Sequence, residues 1–147
     1  MSEKAFRAVI RKNLKQVHWV TIETWTTYGV ADLNACYDGV EFWVELKEVR
    51  AGKKVDVRPH QVGWHHQRSR AGGRTWFLVR VVKLDEIWLY PGPWGSALAT
   101  SGLALPPWRR YARPYRWGDL LGALCTRLTE QPVPAPRTDP TPRKARV

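Results

Sequence analysis

The sequence predicts an α/β domain with a mixed central β-sheet flanked by helices, in the order α-β-β-β-α-β. Three observations carry this expectation. Asp38-Gly39 sits between two alternating runs, a two-residue hairpin signal in which both turn positions need positive φ. Thr75 to Lys83 is almost continuously apolar, as a strand covered on both faces is. Between these stretches, Pro59 suits the first position of a helix and Gly72-Gly73 stops it, so the helix reads as a crossover joining parallel strands.

Taken in order, residues 3–17 predict an amphipathic helix. Phe6, Val9, Ile10, Leu14 and Val17 recur at helical spacing, with Ser2 as N-cap. Residues 18–27 are β-branched and aromatic and read as a strand, with Val20, Ile22 and Thr24 on one face. The hairpin follows. Val40, Phe42, Val44 and Leu46 share one face of its second arm; Glu41, Trp43, Glu45 and Lys47 share the other. Residues 49–58 form a basic loop. The helix 59–71 carries Gln61, Trp64, His65, Arg68 and Ala71 on one face, with Trp64 and Ala71 expected inward. Asp85 to Tyr90 suggests a further short strand, the signal weakens over 91–107, and Trp117, Leu120, Leu121, Leu124 and Leu128 mark a last helix. Residues 1–129 are expected to form one domain, and the Pro-rich, basic stretch 130–147 a disordered tail.

The chain has 147 residues and a net charge of +11, with a pI near 10.2. Charge of that size at this length favours a polyanionic partner, foremost nucleic acid, but names no reaction. Nine tryptophans are more than a small core needs, so some are open to base stacking or a subunit interface, burial being the ordinary fate of each. Cys36 and Cys125 alone give neither a disulfide framework nor zinc spacing, and His60, His65 and His66 form no recognisable metal pattern. With no signal-like start and no membrane-length apolar run, a cytoplasmic protein is expected.

A two-residue turn fixes the register of the hairpin. Tyr37 faces Val40, Cys36 faces Glu41, Ala35 faces Phe42, Asn34 faces Trp43 and Leu33 faces Val44, which leaves Asp32 opposite Glu45. Carboxylates placed so are roughly 5 Å apart at Cβ and repel. A divalent cation between them reverses that sign. Lys47 leans over the same face. The pair reads either as a metal-dependent phosphodiesterase site or as the solvated edge of a hairpin. Glu3 points along the apolar stripe of the first helix, as a metal or supporting carboxylate or as a favourable charge on the helix dipole. Lys4, Arg7, Arg11, Arg50, Lys53, Lys54 and Arg58 are candidates for phosphate contact or an ordinary solvated face. Trp108 to Trp117 interleaves arginines with aromatics and suits either single-strand binding or a loop fastened by its rings.

The ordered combination of helix, Asp32, Glu45-Leu46-Lys47, Gln61 with Trp64, and apolar strand resembles the PD-(D/E)XK nuclease superfamily over residues 3–83. Ala31 stands where the family name expects Pro. The resemblance implies a restriction-endonuclease-like core. It implies Mg²⁺, with Mn²⁺ as substitute, held by Asp32, Glu45, the Leu46 carbonyl and Glu3, with Lys47 and Gln61 completing the catalytic set. Within the superfamily the chain looks most like archaeal-type and phage Holliday-junction resolvases, with VRR-NUC nucleases next. That likeness implies a homodimer nicking branched DNA in recombination and repair, and leaves room for a phage-encoded protein acting in the host cytoplasm. The rival expectation is a non-catalytic DNA binder on the same fold.

Overall fold

The computed structural model describes residues 2–23, 27–128 and 131–138. Its six strands form one sheet in sequence order, β1 to β6. The elements are α1 (Glu3–Asn13), β1 (His18–Thr21), β2 (Leu33–Tyr37), β3 (Val40–Val49), α2 (Pro59–Arg70), β4 (Thr75–Val81), β5 (Glu86–Pro91), α3 (Gly95–Ser101), β6 (Arg109–Ala112) and α4 (Trp117–Leu124). Neighbouring strands are antiparallel except β3 and β4, which are parallel and joined through α2. A parallel pair cannot be closed by a tight turn, so the chain needs a crossover there.

The alternation of β3 sorts the two cores. Phe42, Val44 and Leu46 lie with Leu33 and Ala35 of β2 under Phe6, Ile10 and Leu14 and under Leu120, Leu121 and Leu124 of α4. On the opposite face, Val49 joins Phe77, Val79, Trp88, Tyr90 and Leu98 of α3, with Val55 and Val57 from the loop after β3. Both faces of β4 are therefore covered and every one of its residues is buried, as its unbroken apolar run predicts.

Several boundaries differ from expectation. The first helix ends at Asn13, because Leu14 leaves helical geometry at φ −122°, yet Leu14 and Val17 still reach the core from the following turn. Among the described residues of 18–27 the strand is His18–Thr21, extended by an Ile22 N–H bond to the Asp32 carbonyl; residues 24–26 lie outside the described chain. Trp19 is its buried residue, and Val20 is exposed. Strand β4 gives way to a tight helical turn at Val82–Leu84, two residues before the expected end at Lys83. On α2, Ala71 is exposed because it caps the helix. Gln61 turns inward as its place on the helix predicts, Trp64 is half-buried, and His65 and Ser69 follow Gln61 at four-residue spacing, with His65 fully buried. The last helix stops at Leu124. Part of the expected tail is held down: the Trp94 indole donates to the Gln131 carbonyl (3.2 Å) and the Arg137 N–H to the Ala104 carbonyl (2.6 Å).

One glycine ties β2 to α2. Gly29 has φ +84°, and a Cβ there would stand 2.1 Å from the His60 carbonyl oxygen. The loop leading to Asp32 is thereby seated on the first turn of α2. Gly29→Ala is expected to lower stability by at least about 1–2 kcal/mol from the backbone alone, with the close approach adding to it, as read from the denaturant midpoint.

Candidate active site

The turn at Asp38-Gly39 has φ values of +49° and +78°, both positive, and the ladder it sets is the one the sequence specifies, from Tyr37 opposite Val40 to Leu33 opposite Val44. At the next position the main-chain ladder stops and side chains replace it. The Leu46 N–H donates to Asp32 Oδ2 (2.9 Å), and the Asp32 N–H donates to Glu45 Oε2 (3.2 Å). Each acid is thus held by the other's strand, and the two are brought to one place. The Trp43 N–H turns towards β4, donating to the Arg74 carbonyl at 2.9 Å, so alternation turns Leu46 the other way. N–H and C=O of one strand residue point alike, which sends the Leu46 carbonyl to the Asp32 side.

Lys47 and Gln61 close the cluster. Lys47 Nζ donates to Gln61 Oε1 (3.0 Å) and lies 3.5 Å from Glu45 Oε1. Gln61 Nε2 donates to Glu45 Oε1 (2.8 Å), while Gln61 Oε1 also accepts from the Arg58 N–H (3.0 Å). The bond from Arg58 is half of a capping box, which is why a glutamine at the third helical position serves both helix and site. Glu45 is 3% exposed and Lys47 8%. Burial first and the Asp32 charge second push the Glu45 carboxyl up to about 8, with Lys47 opposing both. Burial also raises Asp32, against the Leu46 N–H bond, Lys47 and Arg7. With burial raising both acids and the Asp32 charge further discouraging ionisation of Glu45, the pair is short of positive charge. The donor set, two carboxylates and a carbonyl, is all oxygen, as a hard divalent cation prefers. Among the described residues no three His, Cys, Asp or Glu side chains converge, so Glu3 does not complete a triad.

Glu3 lies exposed in the first turn of α1. Partial burial raises its carboxyl, Lys47 opposes this, and Asp32, Glu48 and Asp56 add to it, so it belongs to the same electrostatic neighbourhood. Arg7 acts on Asp32 across the same gap. Lys4 is exposed. Arg11 bonds Thr21 Oγ1 (3.0 Å), and Arg50 pairs with Glu48 (2.9 Å). The basic loop is anchored rather than free. Val55 and Val57 are buried, the Leu103 N–H holds the Lys53 carbonyl (2.7 Å), and the Lys53, Lys54 and Arg58 side chains are left exposed.

The Arg/aromatic stretch is fastened to the body. Trp108 stacks on Trp76 at 5.3 Å, Arg110 pairs with buried Glu86 (2.8 Å) and lies over Trp88, and Arg113 pairs with Asp85. The described tryptophans are all buried or half-buried. Two residues near the site were given no role by the sequence. His65, one turn after Gln61, lies 4.2 Å from Phe77, and neither ring nitrogen has a hydrogen-bond partner among the described residues. Burial and then Lys47 lower it to about 3, so it stays neutral. Only its spacing from Gln61 could have placed it inward. Tyr28, just before Gly29, is the other.

In metal-free buffer the folded state keeps a proton on Glu45 that the unfolded chain, near 4.5, has already released. This contribution is complete below about pH 4.5 and is lost as pH rises towards about 8. Wild-type stability in EDTA is therefore expected to fall across that window, followed by thermal unfolding. Glu45→Gln should flatten the slope and be more stable at pH 8 by roughly 1–3 kcal/mol.

No family model matches this chain, and no curated protein matches it. Among solved structures it is similar to a bacterial homing endonuclease, I-Ssp6803I, with 19% identity and a TM-score of 0.41, over 65% of this chain and 65% of that one. The chain thus spans just under two thirds of that protein's length, a likeness too distant to speak to what this chain does.

Proposed function

We propose that the chain is a divalent-metal-dependent DNA endonuclease of the PD-(D/E)XK kind, with Mg²⁺ as metal. The observation that supports this most is the closed set Asp32–Glu45–Lys47–Gln61, in which a half-buried and a buried acid meet across a strand pair with an ammonium and an amide fixed beside them. Such a set costs stability in the free protein, and it gains a purpose when a cation and a phosphate arrive.

Asp32, Glu45 and the Leu46 carbonyl would hold the metal, with Glu3 near enough to act on it electrostatically. When bound, Mg²⁺ supplies Lewis-acid polarisation of the phosphodiester and favours ionisation of the attacking water. Lys47 orients that water and offsets charge on the phosphorus-bound oxygens in the transition state. Gln61 keeps the Lys47 ammonium in place through its 3.0 Å bond. The water oxygen bonds to phosphorus, the bond from phosphorus to the 3′-oxygen breaks, and that oxygen takes a proton, giving a 5′-phosphate and a 3′-hydroxyl. Arg7, Lys53, Lys54 and Arg58 would meet flanking phosphates. Four-way junctions come first among substrates by resemblance to the resolvases, and that form of the proposal includes a homodimer.

The test is a cleavage panel of four-way junction, flap, single strand and linear duplex with Mg²⁺. Asp32→Asn and Lys47→Ala are each expected to slow cleavage at least about 100-fold while still binding DNA. Wild-type rates in either variant reject the assignment, and binding with no cleavage by the wild type points to a non-catalytic binder. Lys53→Ala with Lys54→Ala should flatten the dependence of log K on log salt by about 0.9 for each phosphate no longer neutralised.

A further inference from the structure

Tyr28 sits four positions before Asp32, on the loop that Gly29 seats against the His60 carbonyl. It is 77% exposed, and no other described aromatic residue of the Phe, Trp and Tyr set is exposed. The described tryptophans are spent on the core and its margins, which leaves Tyr28 as the exposed ring of this set among the described residues. Its backbone is tied down on the C-terminal side, where Gly29 packs closely on α2 and Asp32 is bonded to Leu46. The Tyr28 ring meets the His60 imidazole edge-on, with centroids 6.1 Å apart, and His60 is itself exposed, next to Gln61 of the site. Two rings therefore stand together on the lip of the carboxylate cluster, with Arg58 exposed at the start of the same helix.

An aromatic ring exposed to solvent offers a flat apolar face. A base inside a continuous duplex is stacked above and below and has no face to give, whereas an unpaired base has. We propose that Tyr28, with His60 at its edge, is a stacking platform for an unpaired nucleotide beside the Asp32–Glu45 site. The strand cut there then leaves the duplex at or next to the scissile phosphate, as at a flap, a gap or a branch point. This inference rests on the nuclease reading of the neighbouring acids and adds to it the kind of substrate. Tyr28 makes it a specificity residue and gives it no part in the bond-breaking step.

The experiment uses the full chain in EDTA with oligonucleotides carrying 2-aminopurine, either unpaired at a branch or flap, or inside continuous duplex. Wild type and Tyr28→Phe are expected to quench the unpaired probe. Tyr28→Ala should lose the quench and bind the unpaired DNA about 10-fold more weakly, with duplex affinity unchanged. A quench that survives Tyr28→Ala, or an equal loss on duplex and unpaired DNA, overturns the proposal. Cleavage assays with Mg²⁺ on the same DNAs keep the two readings apart. A wild type that cleaves with no dependence on Tyr28 rejects the platform alone. A wild type that cleaves no DNA, yet shows the Tyr28-dependent quench, rejects the nuclease reading while the platform stands.

Discussion

The exchange of hydrogen bonds between Asp32 and the Glu45–Leu46 segment governs the site. Ordinary ladder bonds would have continued β2 past Leu33 and paired its main chain with that of β3. Instead, the Asp32 carboxylate takes the Leu46 N–H, and Glu45 takes the Asp32 N–H. The strand pairing ends there, and main-chain groups that were destined for a sheet are turned over to acid side chains. The same substitution frees the Leu46 carbonyl on that side. All three oxygen donors of the candidate centre therefore come from one departure from sheet geometry.

This departure needs a rigid frame, and the sheet provides it from both faces. Leu33, Phe42, Val44 and Leu46 are fully or almost fully buried against α1 and α4, so the hairpin cannot slip its register without exposing them. On the other face Glu45 lies beside Phe77 of β4, and His65 of α2 is set against that ring. A buried, neutral, unpartnered imidazole is a costly filler. It lies within the electrostatic reach of Lys47, whose ammonium is directed by Gln61 and Glu45.

Much of this was legible in the sequence because its signals are local. Asp38-Gly39 fixes the turn, the turn fixes the register, and the register alone puts Asp32 opposite Glu45. Pro59 fixes the start of α2 and hence which turn Gln61 occupies. The inward face of α2 was harder, since a helix of arginines, histidines and glutamines has little apolar contrast, and His65 is hydrophilic enough to pass for surface. The loop after β3 advertised its charges, while Val55 and Val57, which anchor it, looked incidental. The aromatic-rich segment 108–117 was ambiguous because its meaning depends on Asp85 and Glu86, and no spacing rule ties these distant acids to Arg113 and Arg110.

Gln61 holds the opening turn of α2 and the Lys47 ammonium with one carbonyl oxygen. Helix ends are where proteins open most readily, at a free energy far below that of global unfolding. Should that first turn unwind, the amide departs, the ammonium loses its tether, and Glu45 is left to Asp32. The working form of this centre is then only as populous as a single wound turn of helix, which makes local fraying a dimmer on the whole.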